Sequence, residues 1–316
     1  KLAGGTRGND VHVDLEQVLA GTGAKEVAAL FISCFAAPGD AVLVPDPTYP
    51  IYSDVLNHAG GIVRLYPVPL RSSNHNDFKA LEEALEEAPE GSKVVLVANP
   101  HNPTGMDGTL ADLEKLLDLA KEHNILLLVD EAYAGGVFGG LDGASIAELL
   151  DEYDNLLVVQ SLSKNFGLAG KRLGGAAGGI VAGSAASFDR VSSQSRALLF
   201  ATSSAPPAVG AAIVALILQD KERLERWLKE LKKMLGLRVL LSRAGFVLWL
   251  DPSGILPLWT FEDQAGLFSA LLLEEHGVVV PGSEFPTVPP GWGRISLAGL
   301  TDETLDELLE AIRAFL

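Results

Sequence analysis

Short apolar runs punctuate the first two thirds of the chain: Ala41–Val44, Ile62–Tyr66, Val94–Ala98, Ile125–Val129, Leu156–Gln160 and Gly178–Val181. Several are apolar at every position instead of alternating, which is the pattern of parallel strands covered on both faces. Between them the period lengthens. Leu110, Leu113, Leu116, Leu117 and Ala120 recur at the spacing of one helix face, with Thr109 and Asp112 placed to cap its start. Leu81–Ala88 and Ile146–Glu152 carry the same helical period. Strands and helices in alternation predict an α/β fold with a doubly wound, mostly parallel sheet.

After Pro207 the texture changes. Strands are expected at Gly245–Leu250, Gly277–Val280 and Gly293–Leu297, and helices over Lys221–Met234, Glu262–His276 and Thr301–Leu316. The last has Leu305, Leu308, Leu309, Ile312, Phe315 and Leu316 on one stripe. The chain thus divides into an N-terminal segment, 1–19, a large domain, 20–208, and a smaller α+β domain, 209–316, with which the N-terminal segment is grouped.

Composition narrows the function. Apolar residues make up 48% of the 316, enough for a sizeable core. The 41 acidic and 24 basic side chains leave a net charge of −17. Such a surface repels nucleic acid and anionic membrane, so neither is an expected partner, and any anion site has to be built locally. A single cysteine, Cys34, excludes an internal disulfide and suits a reducing cytosol. The opening KLAGGTRGND has no apolar core of a secretory leader. Ala197–Gln219 is uncharged and long enough to span a bilayer, but Pro206-Pro207 and the flanking serines divide it, so a buried helix over Ala208–Leu218 is expected.

The candidate chemistry lies where strands end. Gly21-Thr22-Gly23 feeds a helix, an arrangement that either binds an anion on free N–H groups or simply starts the helix. DPTYPIY, residues 46–52, holds Tyr49 between prolines, as a stacking platform for a flat ligand or as a loop aromatic on the core. NPHNPTG, residues 99–105, makes a turn at a sheet's carboxyl edge and offers the Asn102 amide. Asp130 stands at the end of LLLVD, able to meet Mg²⁺, a base, a cationic ring nitrogen or only its own turn, and Tyr133 follows.

SLSKNFGLAGKRLGG, residues 161–175, places Lys164 among small and hydroxyl residues just after a strand. Its Ser-x-x-Lys lacks the Ser-Asp-Asn and Lys-Thr-Gly partners of β-lactamases, and its glycines have the wrong spacing for a phosphate loop. What remains is an amine beside anion-binding groups, the setting in which lysine attacks carbonyls. Pyridoxal 5'-phosphate has a use for every candidate. Its aldehyde suits Lys164, its ring nitrogen Asp130, its phenolic oxygen Asn102 and Tyr133, and its ring face Tyr49. Its phosphate suits Thr22, Ser161, Ser163, Arg172 and the helix start.

With GTGAKE, DPTYPIY, NPHNPTG, DEAYAG, SLSKNFGLAGKRLGG and GRISLAG in this order and spacing, the chain resembles the class I/II aminotransferases of fold type I over nearly all its length. The resemblance implies amino transfer from an L-amino acid to a 2-oxo acid by a ping-pong route, in a cytoplasmic homodimer. It implies that Lys164 carries the cofactor as a Schiff base and then moves the substrate's α-proton, and that Asp130 keeps the ring nitrogen protonated. Arg172, Ser161 and Ser163 would hold the phosphate. Arg294, otherwise readable as a surface arginine on a strand, would take the substrate carboxylate with help from Asn102.

Three departures accompany the resemblance. The family's N-terminal arm, and its tyrosine that reaches a neighbouring subunit, have no counterpart ahead of GNDVHVDLEQV. Phe200 stands where aspartate-specific members carry an arginine, so an apolar or aromatic donor is expected. The Leu231–Gly245 link is short, which suggests a trimmed small domain. Other members of this fold catalyse β-elimination of sulfur amino acids, ring closure or decarboxylation, and a catalytically impaired cofactor-binding protein is a further alternative.

Overall fold

A computed structural model describes residues 17–21, 23–36, 38–49, 52, 62–68, 78–89, 93–106, 108–133, 145–161, 164, 179–183, 247–250, 279–281 and 293–296. Strands β1 (Val18–Gly21), β2 (Ala41–Asp46), β3 (Ile62–Pro67), β4 (Lys93–Ala98), β5 (Leu126–Glu131), β6 (Leu156–Ser161) and β7 (Gly179–Gly183) form one sheet. Its order is β1-β7-β6-β5-β4-β2-β3. The β2–β3, β2–β4, β4–β5 and β5–β6 pairs are parallel, while β7 runs antiparallel to both β6 and β1. Strands β8 (Val247–Leu250), β9 (Val279–Pro281) and β10 (Gly293–Ser296) form a second, antiparallel sheet with β10 in the centre.

The apolar runs are explained by two core layers. Val42, Val44, Val94, Leu96, Leu126, Leu128, Leu157 and Val159 pack on the side of helix α1 (Ala24–Phe35), which contributes Val27, Leu30, Phe31 and Ile32. Their strand neighbours Leu43, Val95, Leu127, Val129, Leu156 and Val158 face the other layer. There they meet Leu81 and Leu85 of α2 (Lys79–Glu87), Leu113, Leu116 and Leu117 of α3 (Leu110–Glu122), and Ile146 and Leu150 of the 3₁₀ helix η1 (Ile146–Glu152). Alternate residues serve alternate faces, and both faces are buried, so polar residues have no place within the run. Burial of each such leucine or valine contributes roughly 1.5–3 kcal/mol.

β3 departs from that pattern. It is an edge strand, and its Ile62 and Leu65 remain 43% and 40% exposed. A short strand, β1, was not expected from the sequence, because VLAG is too short and small to stand out from the glycine turn that follows it. The helix expected over Ile146–Glu152 takes the tighter 3₁₀ form, with Ser145 capping its start.

α3 begins as its sequence predicts. Thr109 Oγ1 accepts the Asp112 N–H at 3.3 Å, and Asp112 Oδ2 accepts the Thr109 N–H at 2.9 Å, a reciprocal capping box. Thr109→Ala should cost about 1 kcal/mol of stability, read as a lower midpoint in urea at unchanged slope.

The helices expected at 208–218, 221–234, 262–276 and 301–316 lie outside the described residues, as do the 208/209 domain boundary, Phe200 and the 231–245 link. Among the described residues no helix is long and apolar enough to cross a membrane.

Candidate functional site

Strand register gathers the candidate residues on one edge. Gly179 of β7 pairs with Gly21 of β1 on one side and with Ser161 of β6 on the other. The start of α1 therefore lies level with the end of β6, about 10 Å across the sheet. In the parallel strands Asp130 is level with Ala98 of β4 and Val159 of β6. The ends of β2, β4, β5 and β6 all open on this carboxyl edge, where ligands bind in open α/β sheets.

A cleft follows from the strand order. The chain moves outward from β2 to β3, then returns past β2 to β4, so the order reverses between β2 and β4. β2 pairs with β3 along its whole length, but with β4 only through Ala41, Val42 and Leu43. Past Leu43 the two strands part. The Leu96 carbonyl, beyond the last β2–β4 pair, is instead capped by the Tyr66 hydroxyl at 2.9 Å. Burial drives the Tyr66 phenol far above its ordinary range, so it stays a donor.

Loops from both sides border this opening. After β2, Tyr49 is half-buried and Tyr52 fully buried, with their rings edge to face at 5.8 Å and the Tyr52 N–H donating to the Tyr49 carbonyl at 2.9 Å. After β4, the NPHNPTG turn is closed by the His101 N–H donating to the Met106 carbonyl (2.6 Å) and the Gly105 N–H donating to the His101 carbonyl (2.7 Å). Gly105 takes a φ of 67°, a left-handed conformation that favours glycine. The Asn99 side chain accepts the Gly108 N–H at 2.8 Å, and the Asn99 N–H donates to the Asp130 carbonyl at 2.9 Å, tying the turn to β5. Asn102 is buried in this turn.

Asp130 is the polar centre. Its Oδ1 accepts the Ala132 N–H at 2.8 Å and its Oδ2 accepts the Tyr52 hydroxyl. Burial raises the acid's pKa, and these two hydrogen bonds oppose the rise. Burial and the Asp130 charge together push the Tyr52 phenol well above its usual range. Beyond β6, the half-buried Lys164 places Nζ 5.6 Å from the centre of the Tyr133 ring.

On the opposite face of β5, Glu131 is fully buried. Burial raises its pKa to about 7, although hydrogen bonds from Ser145, Ile146 and Gln160 pull downward; the neighbouring Asp130 charge adds to the rise. The folded acid thus holds its proton more tightly than the unfolded chain does. Its contribution to stability is complete below about pH 4.5 and is lost as pH rises through about 7. Glu131→Gln should remove that slope. The thermal midpoint difference, variant minus parent, should grow more positive between pH 4.5 and 7.5, by a free energy on the order of 3 kcal/mol.

Of the residues expected from sequence, Gly21, Gly23, Tyr49, Asn102, Asp130, Tyr133, Ser161 and Lys164 stand at the ends of strands on this edge or in the loops that follow them. Thr22, Ser163 and Arg172 lie outside the described residues. Arg294 is on β10, in register with Trp249 and Val280 in the second sheet, and its side chain is outside the description. Sequence reasoning missed Tyr52 and Glu131. Tyr52 follows Tyr49 by one helical turn in the same proline-bounded loop, and Glu131 is an acid that ends a strand buried on both faces. Both signals are visible in hindsight, yet neither resembles a motif.

Comparison with known proteins gives the family. Residues 1–312 match the model for aminotransferase class I and II. The 1-aminocyclopropane-1-carboxylate synthase of Nicotiana tabacum is 35% identical, over 98% of this chain and 66% of its own length. Synthase 2 of Solanum lycopersicum is 34% identical, over 98% and 67%. The chain therefore spans about two thirds of these relatives. An aromatic aminotransferase from Pyrococcus horikoshii superposes with a TM-score of 0.79 at 23% identity, over 98% of this chain and 82% of that one. The aspartate aminotransferase of Thermotoga maritima gives 0.77 at 25%, over 96% and 76%. The architecture is the fold type I of pyridoxal-phosphate enzymes, and the chain belongs to the class I and II aminotransferase family.

Proposed function

We propose that the protein transfers the amino group of an L-amino acid to a 2-oxo acid, using pyridoxal 5'-phosphate held on the carboxyl edge of the sheet beside the cleft between β2 and β4. The family depends on that cofactor, and the residues present fit it. Asp130 is half-buried with hydrogen bonds from Tyr52 and Ala132 on its two oxygens, and a protonated ring nitrogen would add the cation that offsets its charge. Gly23, at the start of α1, makes no side-chain cap, and that start stands on the edge where a phosphate would lie. The observation that carries the proposal is that the half-buried Asp130, bonded to Tyr52, and Lys164, against Tyr133, stand on one sheet edge.

When bound, the cofactor supplies an aldehyde and a ring that draws electrons from the substrate's α-carbon. The protein's residues do the rest. Asp130 would hold a positive charge at the ring nitrogen. Lys164 Nζ would hold the cofactor's aldehyde and would move the proton of the substrate's α-carbon. Tyr49, Asn102 and Tyr133 would hold the ring, Gly21, Thr22, Gly23, Ser161, Ser163 and Arg172 would hold the phosphate, and Arg294 with Asn102 would hold the substrate carboxylate. Amino transfer asks least of this set, since it needs no leaving group to be recognised. The working form proposed is a cytoplasmic homodimer, in keeping with the family.

A second reading has its own support. The most similar curated relatives include several 1-aminocyclopropane-1-carboxylate synthases at 32–35% identity. Making that cyclopropane requires a substrate with a leaving group on its γ-carbon, because the new bond joins Cα to Cγ. Product analysis separates the readings. Amino transfer yields one 2-oxo acid and one new amino acid in equal amounts, and depends on both substrates. Appearance of 1-aminocyclopropane-1-carboxylate, or of pyruvate with ammonia, without a second substrate would replace it with lyase chemistry.

A further inference from the structure

We infer that Glu131 is a positioning residue, whose buried carboxylate ties the ends of β5 and β6 to the start of η1 and so holds Asp130 toward the cofactor's ring nitrogen. The inference rests on the cofactor site proposed above. Successive strand residues point to opposite faces. Asp130 meets Tyr52 in the α1 layer, and Glu131 points into the layer of η1. Its Oε1 accepts the Ile146 N–H at 2.7 Å; its Oε2 accepts the Ser145 hydroxyl at 2.6 Å and the Gln160 amide at 3.2 Å.

With Glu131 in β5, these partners join three elements, β5, β6 and η1 with its cap. Gln160 is also the ladder partner of Glu131 in β6, so main chain and side chain fasten the same point. Ser145 Oγ in turn accepts the Ala147 N–H at 3.2 Å, which carries the connection into the first turn of η1. Glu131, Ser145 and Gln160 are each at most 4% exposed. An acid buried this deeply is costly without its donors. The network therefore has one favourable arrangement, and the residue it fixes is the immediate neighbour of Asp130.

Glutamine can replace the acid without breaking the arrangement. Its oxygen accepts from Ile146, and its amide donates to Ser145 Oγ and to a flipped Gln160. Leucine cannot. Apoprotein would be titrated with pyridoxal 5'-phosphate, followed by absorbance, and the pH dependence of the bound cofactor's band recorded. Glu131→Gln should bind within about threefold of the parent. Glu131→Leu, folded by circular dichroism, should bind at least tenfold more weakly, with the band's pH midpoint displaced. Should the leucine variant fail to fold, Ser145→Ala combined with Gln160→Leu should give the same changes, only smaller. A folded leucine variant with parental affinity and an unchanged band would overturn the inference, as would a glutamine variant as impaired as leucine. A parent protein that forms no cofactor adduct would instead sink the proposed function.

Discussion

Lys164→Ala should reduce turnover by three orders of magnitude or more and leave no covalent adduct with the cofactor. Two separate roles rest on Nζ. Proton transfer by a positioned side chain is worth on the order of 10²–10⁴ in rate, and covalent attachment keeps the cofactor aligned while substrate arrives. The amine is half-buried and lies 5.6 Å from the centre of the Tyr133 ring, which keeps it at the sheet edge. The check is direct. Borohydride treatment of the parent should add a reduced cofactor to the peptide containing residue 164, found by mass spectrometry, and the variant should show none. An adduct on another lysine, or a variant that turns over at a tenth of the parental rate, would remove Lys164 from the centre of the chemistry.

The second large effect belongs to Asp130. Asp130→Asn keeps the shape and one acceptor but loses the charge that a protonated ring nitrogen requires. Removing one member of a buried charged pair costs roughly 3–5 kcal/mol, on the order of 10²–10⁴-fold in rate when the pair is needed at the transition state. In the free protein burial already raises the Asp130 pKa. Ionised Asp130 is the form that welcomes a cationic nitrogen, so cofactor affinity should fall as pH drops and the carboxyl takes up its proton. The Asn variant should lack that dependence and bind weakly throughout. Rates from pre-steady-state mixing and affinities from absorbance titration test both parts. Retention of parental turnover in the Asn variant would show that the carboxylate has another purpose.

Much of this arrangement was legible in the residues. The runs at 41–44, 94–98, 125–129 and 156–160 announced strands because both faces of the central sheet are dry, leaving Gln160, at the end of the last, as the one polar residue within them. Thr109 and Asp112 marked a helix start because a capping box is a local device, complete within four residues of chain. The site residues stood out for a related reason: Asn102 and Lys164 each follow a strand among turn-forming or small residues, and Asp130 is an acid at the end of one. β1 was illegible because its pairing partner is more than 150 residues away, at Gly179–Gly183. The antiparallel setting of β7 left no local trace either, since GIVAG would read the same in both directions.

Tyr52 and Glu131 mark the boundary most sharply. Nothing near Tyr52 in the sequence indicates that its hydroxyl ends on a carboxylate 78 residues later. The partners of Glu131 come from β6 and from the turn before η1, which only the packing of layers brings together. The sequence by itself determined the buried central strands, the start and apolar face of the helix at Leu110–Glu122, and which residues of reactive type stand at strand ends. Those are properties of periodicity and of side-chain chemistry within a few residues. Only the tertiary structure decided strand order, the parting of β2 from β4, and the joining of Asp130 to Tyr52 and of Glu131 to η1. These depend on contacts between distant segments, whose energies are summed over the whole core and written at no single position.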